Sequence, residues 1–386
     1  MNKETIVSTV VVVALVAFSF YPAAQASSYL QPGTVQVTGT SFSCQTSQGW
    51  YGNGETCVPA KVTGCNTGVN GLNADDLSFT YGYLAPSGTI VGTVVFFSGG
   101  PGTSPTESPD DISLVGQYFA ANYEIVQVAW QTDWEDPHGT TGGNIQYAAC
   151  RPAAFLNYVR ASPALYSSGG MCAQGTSAGA GAIAYSLAWY GADSFLDKVE
   201  LLSGPVLSDV KQGCEEPPSL AVQVCQSSDS WCKGGSQGPW STSPLFISGY
   251  ATLAREWTND TTCAGGPNGQ TTNTSNQNWL SMSIVNGTSN ANFNYQNTAI
   301  TGWLCASVYG GGQPNNSAPE GELFYRVVTT GQPYSMYPVQ NCNGQEGVTG
   351  SNTYVPGWAG TNKNGFYAIL SDMTQVSTTK CQLLHH

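Results

Sequence analysis

Residues 175–179 read Gly175-Thr176-Ser177-Ala178-Gly179, a serine held between two glycines in the spacing G-x-S-x-G. The run Gly170-Met171-Cys172-Ala173-Gln174 before it has strand character, and Gly179 to Tyr190 has helical character. A strand that turns directly into a helix has no room for side chains beside the turn, so glycine flanks it and the serine hydroxyl is exposed at the end of the sheet. That placement suits one chemistry above others: attack of a hydroxyl on a carbonyl. The hydroxyl needs a base, normally a histidine oriented by a carboxylate, and the tetrahedral oxyanion needs N–H donors. The Ala178 amide opens the helix and is the expected first donor, with the helix dipole favouring negative charge beside it.

A second motif lies one strand earlier. Gly92-Thr93-Val94-Val95-Phe96-Phe97 is an apolar strand run, and Ser98-Gly99-Gly100-Pro101-Gly102 follows it directly. Bare backbone lets an amide approach a developing oxyanion, and Pro101 has no N–H to offer. The second donor is therefore Gly99, Gly100 or Gly102, with Gly100 preferred.

These two motifs, in this order, resemble the α/β-hydrolase family over roughly residues 85–386; the glycine-rich loop is similar to that of serine carboxypeptidases and prolyl iminopeptidases. The resemblance implies a Ser, acid, His order along the chain. The chain holds three histidines, His138, His385 and His386, and only the last two follow Ser177. His385 is the expected base, since His386 carries the terminal carboxylate. His138 follows the strand run ending at Trp130 and is a candidate for lining the pocket. The resemblance puts the acid after the strand that follows a cap. With Tyr334 to Gln340 as that strand, Glu346 is the expected acid and Asp209, after the strand Val199 to Ser203, the alternative; Asp372 ranks behind both. A Cys342–Cys381 bridge would bring the Glu346 loop and the C-terminal histidines together.

The elements that must position these residues follow from periodicity. Tyr123 to Trp130 is a further apolar strand run, Asp110 to Asn122 and Ala148 to Ala161 have helical spacing, and Asn364 to about Thr379 reads as the last helix. Alternating strands and helices with near-continuous apolar strands imply an α/β fold with a doubly wound, mostly parallel sheet, α/β-hydrolase-like. The expected layout is 1–26 signal peptide, 27–75 a small disulfide-rich β segment, and 76–386 the hydrolase domain. An Asn, Thr, Ser and Gly-rich stretch at about 212–313 interrupts the alternation and is expected to be an inserted cap. Its tryptophans, Trp231, Trp240, Trp257, Trp279 and Trp303, are candidates for a cleft lining.

Composition narrows the function classes. Eleven Lys and Arg stand against 24 Asp and Glu, a net charge of −13, so no basic surface exists to neutralise phosphates and nucleic acid is excluded as a partner. Lys3, the apolar run Ile6 to Phe20 and the small residues Ala24 and Ala26 describe a signal peptide, which implies a secreted or periplasmic protein with no membrane association after cleavage. All twelve cysteines lie beyond that point, as expected for a disulfide set whose pairing sequence does not define. With three histidines and no C-x-x-C pair, neither a metal site nor a cofactor is expected. The function expected is an extracellular serine hydrolase of small-molecule or polymer carboxylic esters, of the carboxylesterase, lipase or polyester depolymerase class. A serine peptidase, or a hydrolase fold that binds without catalysis, are the alternatives.

Overall fold

A computed structural model describes residues 29–65, 77–135, 145–166, 169–205, 208, 210, 283–286, 290–291, 298–305, 308–309, 313–314, 321, 324–325, 334–339, 369–370 and 372–373. The signal-peptide expectation and most of the expected cap lie outside the described residues. The strands are β1 (Thr34–Val37), β2 (Phe42–Ser43), β3 (Thr56–Thr63), β4 (Ser78–Leu84), β5 (Gly92–Phe97), β6 (Tyr123–Trp130), β7 (Met171–Thr176) and β8 (Lys198–Leu202). Beyond them come β9 (Val285–Asn286), β10 (Asn290–Ala291), β11 (Ala299–Cys305), β12 (Val308–Tyr309), β13 (Gln313–Pro314) and β14 (Tyr334–Val339). The helices are α1 (Pro109–Ala120), α2 (Ile145–Ala148), α3 (Cys150–Ala161) and α4 (Ala178–Tyr190).

Ten strands form one mixed sheet in the order β1-β3-β4-β6-β5-β7-β8-β11-β14, with β2 beside β3. From β6 to β14 every pairing is parallel, and from β1 to β6 every pairing is antiparallel. β5, β7 and β8 are buried along their whole length, as strands covered by helices on both faces must be. On one face Val95, Phe97, Ala173, Val199 and Leu201 pack with α3 and α4 through Phe155, Ile183 and Leu187. On the other, Val94, Phe96, Ile125, Cys172 and Leu202 pack with Leu114, Val115 and Tyr118 of α1 and with Ile369 and Met373. A mostly parallel sheet of this order is the α/β-hydrolase arrangement.

The chain leaves β5 for β6 on one side and returns to β7 on the other, so β5 and β7 flank the point where strand order reverses. Ligand sites in open α/β sheets form outside the carboxyl ends of strands at such a point. Both glycine motifs begin there.

The described part of the 27–75 segment is β-rich and joins the main sheet: β1, β2 and β3 continue it, and Cys65–Cys150 ties β3 to α3. The cap range 212–313 contains β11, a full sheet strand between β8 and β14. Ala-Ile-Thr-Gly-Trp-Leu-Cys reads poorly as a strand because a glycine breaks its apolar run. In the fold, Tyr325 fills the space over Gly302, where a side chain would collide with its ring. The boundaries at Gly92–Phe97 and Tyr123–Trp130 coincide with the sequence reading.

Candidate active site

Ser177 closes β7 and opens α4. Its backbone sits at φ 52°, ψ −113°, a conformation that a residue with a Cβ adopts only where its surroundings impose it. Those surroundings are visible. The Ser177 N–H donates to the Leu202 carbonyl of β8 at 2.7 Å, and the Ser177 carbonyl accepts from the Gly181 N–H at 3.1 Å. A Cβ on Gly175 would stand 2.7 Å from the Ala180 nitrogen and overlap the Gly179 carbonyl; one on Gly179 would overlap the Phe97 carbonyl and stand 2.6 Å from that of Ser98. Both glycines are sterically required. Ser177 itself is half-buried, at the mouth of the sheet.

α4 reaches this closely because it is built of small residues, Ala-Gly-Ala-Gly-Ala-Ile-Ala, and twelve of its thirteen residues are buried. Ala178 is its first residue, whose N–H has no partner within the helix. Beside it, residues 99–102 form a turn closed by the Gly102 N–H to the Gly99 carbonyl at 3.2 Å, with Gly100 at φ 55°. That closure occupies the Gly102 N–H and narrows the three expected donors to Gly99 and Gly100. The turn is pinned from outside, where the Gly102 carbonyl accepts from the Trp130 N–H at 2.8 Å and the Pro101 carbonyl from the Trp134 N–H at 3.3 Å. The buried Arg151 donates to the carbonyls of Asp133 and Trp134, holding the loop after β6 in place.

Of the residues expected to act, Ser177, Ala178 and Gly100 are brought together at the carboxyl ends of β5 and β7. His385, Glu346, Asp209 and His138 lie outside the described residues. The strand order nonetheless corrects the premise for Glu346: β11, not Tyr334–Val339, is the strand next to β8, and β14 lies one strand further out. In sequence Glu346 thus follows a strand three positions, about 14 Å, from β7, whereas Asp209 follows β8, the strand adjacent to β7. The residues flanking Asp209 are anchored. The Ser208 carbonyl accepts from the N–H groups of Ile284 and Val285 at 2.9 and 3.0 Å, and the Val210 N–H donates to Ser283 Oγ at 2.9 Å.

Asp372 is excluded as the acid. Its Oδ2 lies 2.6 Å from Lys198 Nζ and accepts from Thr301 Oγ1 at 2.6 Å, at the amino end of β8. Lys198 pairs with Cys172, five residues before Ser177, so it lies about 16 Å from Ser177 along the strand. Lys198 also lies 3.3 Å from Glu200, whose other oxygen accepts from Trp303 Nε1 at 2.5 Å. Burial pushes the Glu200 carboxyl well above its usual range, with Lys198 acting against it.

Two residues at the carboxyl edge of the sheet carry no motif. Ser203, which continues the β7–β8 register opposite Ser177, has φ 50° and a buried hydroxyl with no hydrogen-bond partner among the described residues. Its only sequence signal is a small polar residue before Gly204-Pro205 at a strand end. Glu107 places its carboxylate against the Cα of Gly99, which is why that position has no room for a side chain. Among the described residues, no group of three or more His, Cys, Asp or Glu that could hold a metal ion occurs.

No family model matches the chain, and no curated protein matches it. Solved structures do overlap it. An esterase from Pyrobaculum calidifontis aligns at 16% identity over 70% of this chain and 74% of that one, with a TM-score of 0.41. Acetyl xylan esterase 1 from a Thermoanaerobacterium species aligns at 12% identity over 80% and 81%, with a TM-score of 0.38. A carboxylesterase cloned from a metagenomic library aligns at 14% identity over 69% and 76%, with a TM-score of 0.41. The strand order and the strained serine between β7 and α4 together place the chain in the α/β-hydrolase fold class.

Proposed function

We propose that the protein is an exported serine hydrolase of carboxylic esters. The observation that carries this reading is the Ser177 backbone, held at φ 52° between two sterically obligatory glycines at the strand reversal point. Strain of this kind persists where the surroundings over-determine it, and it aims the hydroxyl away from the sheet toward a ligand. In this reading Ser177 attacks the acyl carbonyl and His385 takes its proton and returns it to the leaving alcohol. Water, activated by the same imidazole, then releases the acid. The N–H groups of Ala178 and Gly100 hold the oxyanion. The acid that orients His385 is Asp209 or Glu346, and the strand order favours Asp209. Export is supported by the Cys44–Cys57 and Cys65–Cys150 disulfides; no described helix is long and apolar enough to cross a membrane.

Turnover of a short-chain nitrophenyl ester and of a peptide amide tests the proposal. Wild-type protein is expected to cleave the ester, and Ser177→Ala and His385→Ala each to lose about 10³-fold or more in kcat. Asp209→Asn is expected to lose more than Glu346→Gln. Ester turnover that survives Ser177→Ala would refute the assignment, and amide turnover lost with it would assign a peptidase instead.

A further inference from the structure

Among the described residues, the α1 side of the sheet is not fully covered. The disulfide-closed segment from Cys44 to Cys57 folds over β4 and β6, laying Trp50 and Glu55 onto Gly82 and donating the Tyr51 N–H to Gln127 Oε1 at 2.9 Å. One register row further, Pro59, Thr80 and Ala129 pair across β3, β4 and β6 and lie half-buried, without such a cover. They floor a groove of about 450 Å³, inside the range of roughly 300–1,000 Å³ typical of small-ligand sites. One wall carries Phe42, 45% exposed, with Gln48 and Trp50; the other carries Thr103, Pro105 and Gln131. Thr103 directly follows Gly102, so the groove opens beside the turn that faces Ser177.

The lining chemistry selects the ligand. Among the described residues, no ionisable side chain lines the groove, so neither an anion nor a cation finds a counter-charge from them. An alkyl chain is equally ill served, because the hydroxyls of Thr38, Ser78, Thr80 and Thr103 and the amides of Gln48 and Gln131 would lose water without gaining partners. Hydroxyls and amides both donate and accept, and they are interleaved here with the exposed ring of Phe42, beside the buried Trp50 and Trp130. A neutral sugar has the matching pattern, with an apolar C–H face for an aromatic ring and hydroxyls around its rim.

We propose that this groove binds a segment of neutral polysaccharide. It is a second site, and its readout is binding, so it stands or falls separately from the hydrolase reading. Full-length protein is titrated calorimetrically with xylohexaose, cellohexaose and mannohexaose, and its retention on the corresponding insoluble polymers is measured. At least one glycan is expected to bind. Phe42→Ala with Gln131→Ala is expected to weaken it tenfold or more, and Thr80→Arg, which fills the floor, to abolish it. Circular dichroism reports that each variant is folded, and nitrophenyl ester turnover is expected to stay within twofold of wild type. Binding of none of the three glycans overturns the proposal, as does binding that all the folded variants retain. Binding of a proline-rich peptide or an alkyl glycoside's tail that these substitutions abolish, with the glycans inert, assigns the groove to another ligand and also overturns it.

Discussion

The Cα of Gly179 lies against the carbonyl oxygen of Phe97, in van der Waals contact so close that a Cβ there would overlap it. Gly179 belongs to the serine turn and Phe97 ends the strand before the glycine-rich loop, so this one contact sets how closely the serine turn approaches that loop. Gly179→Ala is expected to destabilise the fold by about 1–3 kcal/mol despite alanine's better helix propensity, because the overlap must push α4 or β5 aside. A displacement near 1 Å is also expected to cost about 100-fold in kcat. Thermal melts and ester kinetics on the same preparation check both, and an unchanged kcat would show that the contact does not set the site geometry.

The Lys198, Glu200 and Asp372 cluster predicts a separation of stability from activity. Lys198→Met leaves two carboxyls buried without their cation, and breaking a buried pair in this way costs about 3–5 kcal/mol. Because the cluster sits at the far end of β8 from Ser177, kcat below the melting transition is expected to stay within twofold. Chemical denaturation and kinetics measure the two effects side by side.

Glu55 gives the stability a pH dependence. Burial pushes its carboxyl up to about 7, against hydrogen bonds from the Gly52 and Tyr51 backbone that favour the charged form. Burial pushes Glu124 up to about 7 as well, with Thr93 opposing it. An unfolded glutamate titrates near 4.5. Between that pH and 7 the folded chain holds protons that the unfolded chain has released, so stability falls as pH rises through this window and levels off above it. Glu55→Gln is expected to flatten the decline and to raise the melting temperature at pH 8 relative to wild type. Melting curves from pH 4.5 to 8 decide it: parallel slopes for the two proteins would remove Glu55 from the account.

Cys65–Cys150 closes a loop of 85 residues and Cys44–Cys57 one of 13. Chain entropy makes the first worth about 4.5 kcal/mol and the second about 3 kcal/mol. Cys65→Ser with Cys150→Ser is expected to lose more stability than the pair Cys44→Ser with Cys57→Ser, and to render β1 and β3 sensitive to protease first. Equal losses would show that strain or residual structure outweighs loop length.

Much of the central fold was legible in the residues. β5 and β6 announce themselves because strands covered on both faces are continuously apolar, and α4 because a helix pressed onto a sheet must be small and apolar all round. The serine turn was legible for the same steric reason: only glycine fits at 175 and 179. β11 was not, since its Gly302 makes room for a ring from Tyr325, a residue distant in the chain. Glu200 and Lys198 were equally opaque. Charged residues inside a buried strand make sense only once Asp372, Thr301 and Trp303 arrive from elsewhere to bond them.

The sequence by itself determined the glycine-flanked turn at Ser177 and the strand-helix alternation that holds it, because each depends on neighbours within a few residues. Only the tertiary structure decided that the N-terminal segment extends the same sheet, that β11 separates β8 from β14, and that a half-buried row of Pro59, Thr80 and Ala129 floors a groove beside the glycine-rich turn. Those features depend on which strands lie side by side, and strand pairing is set by the burial of whole faces, a quantity that no local stretch of residues contains.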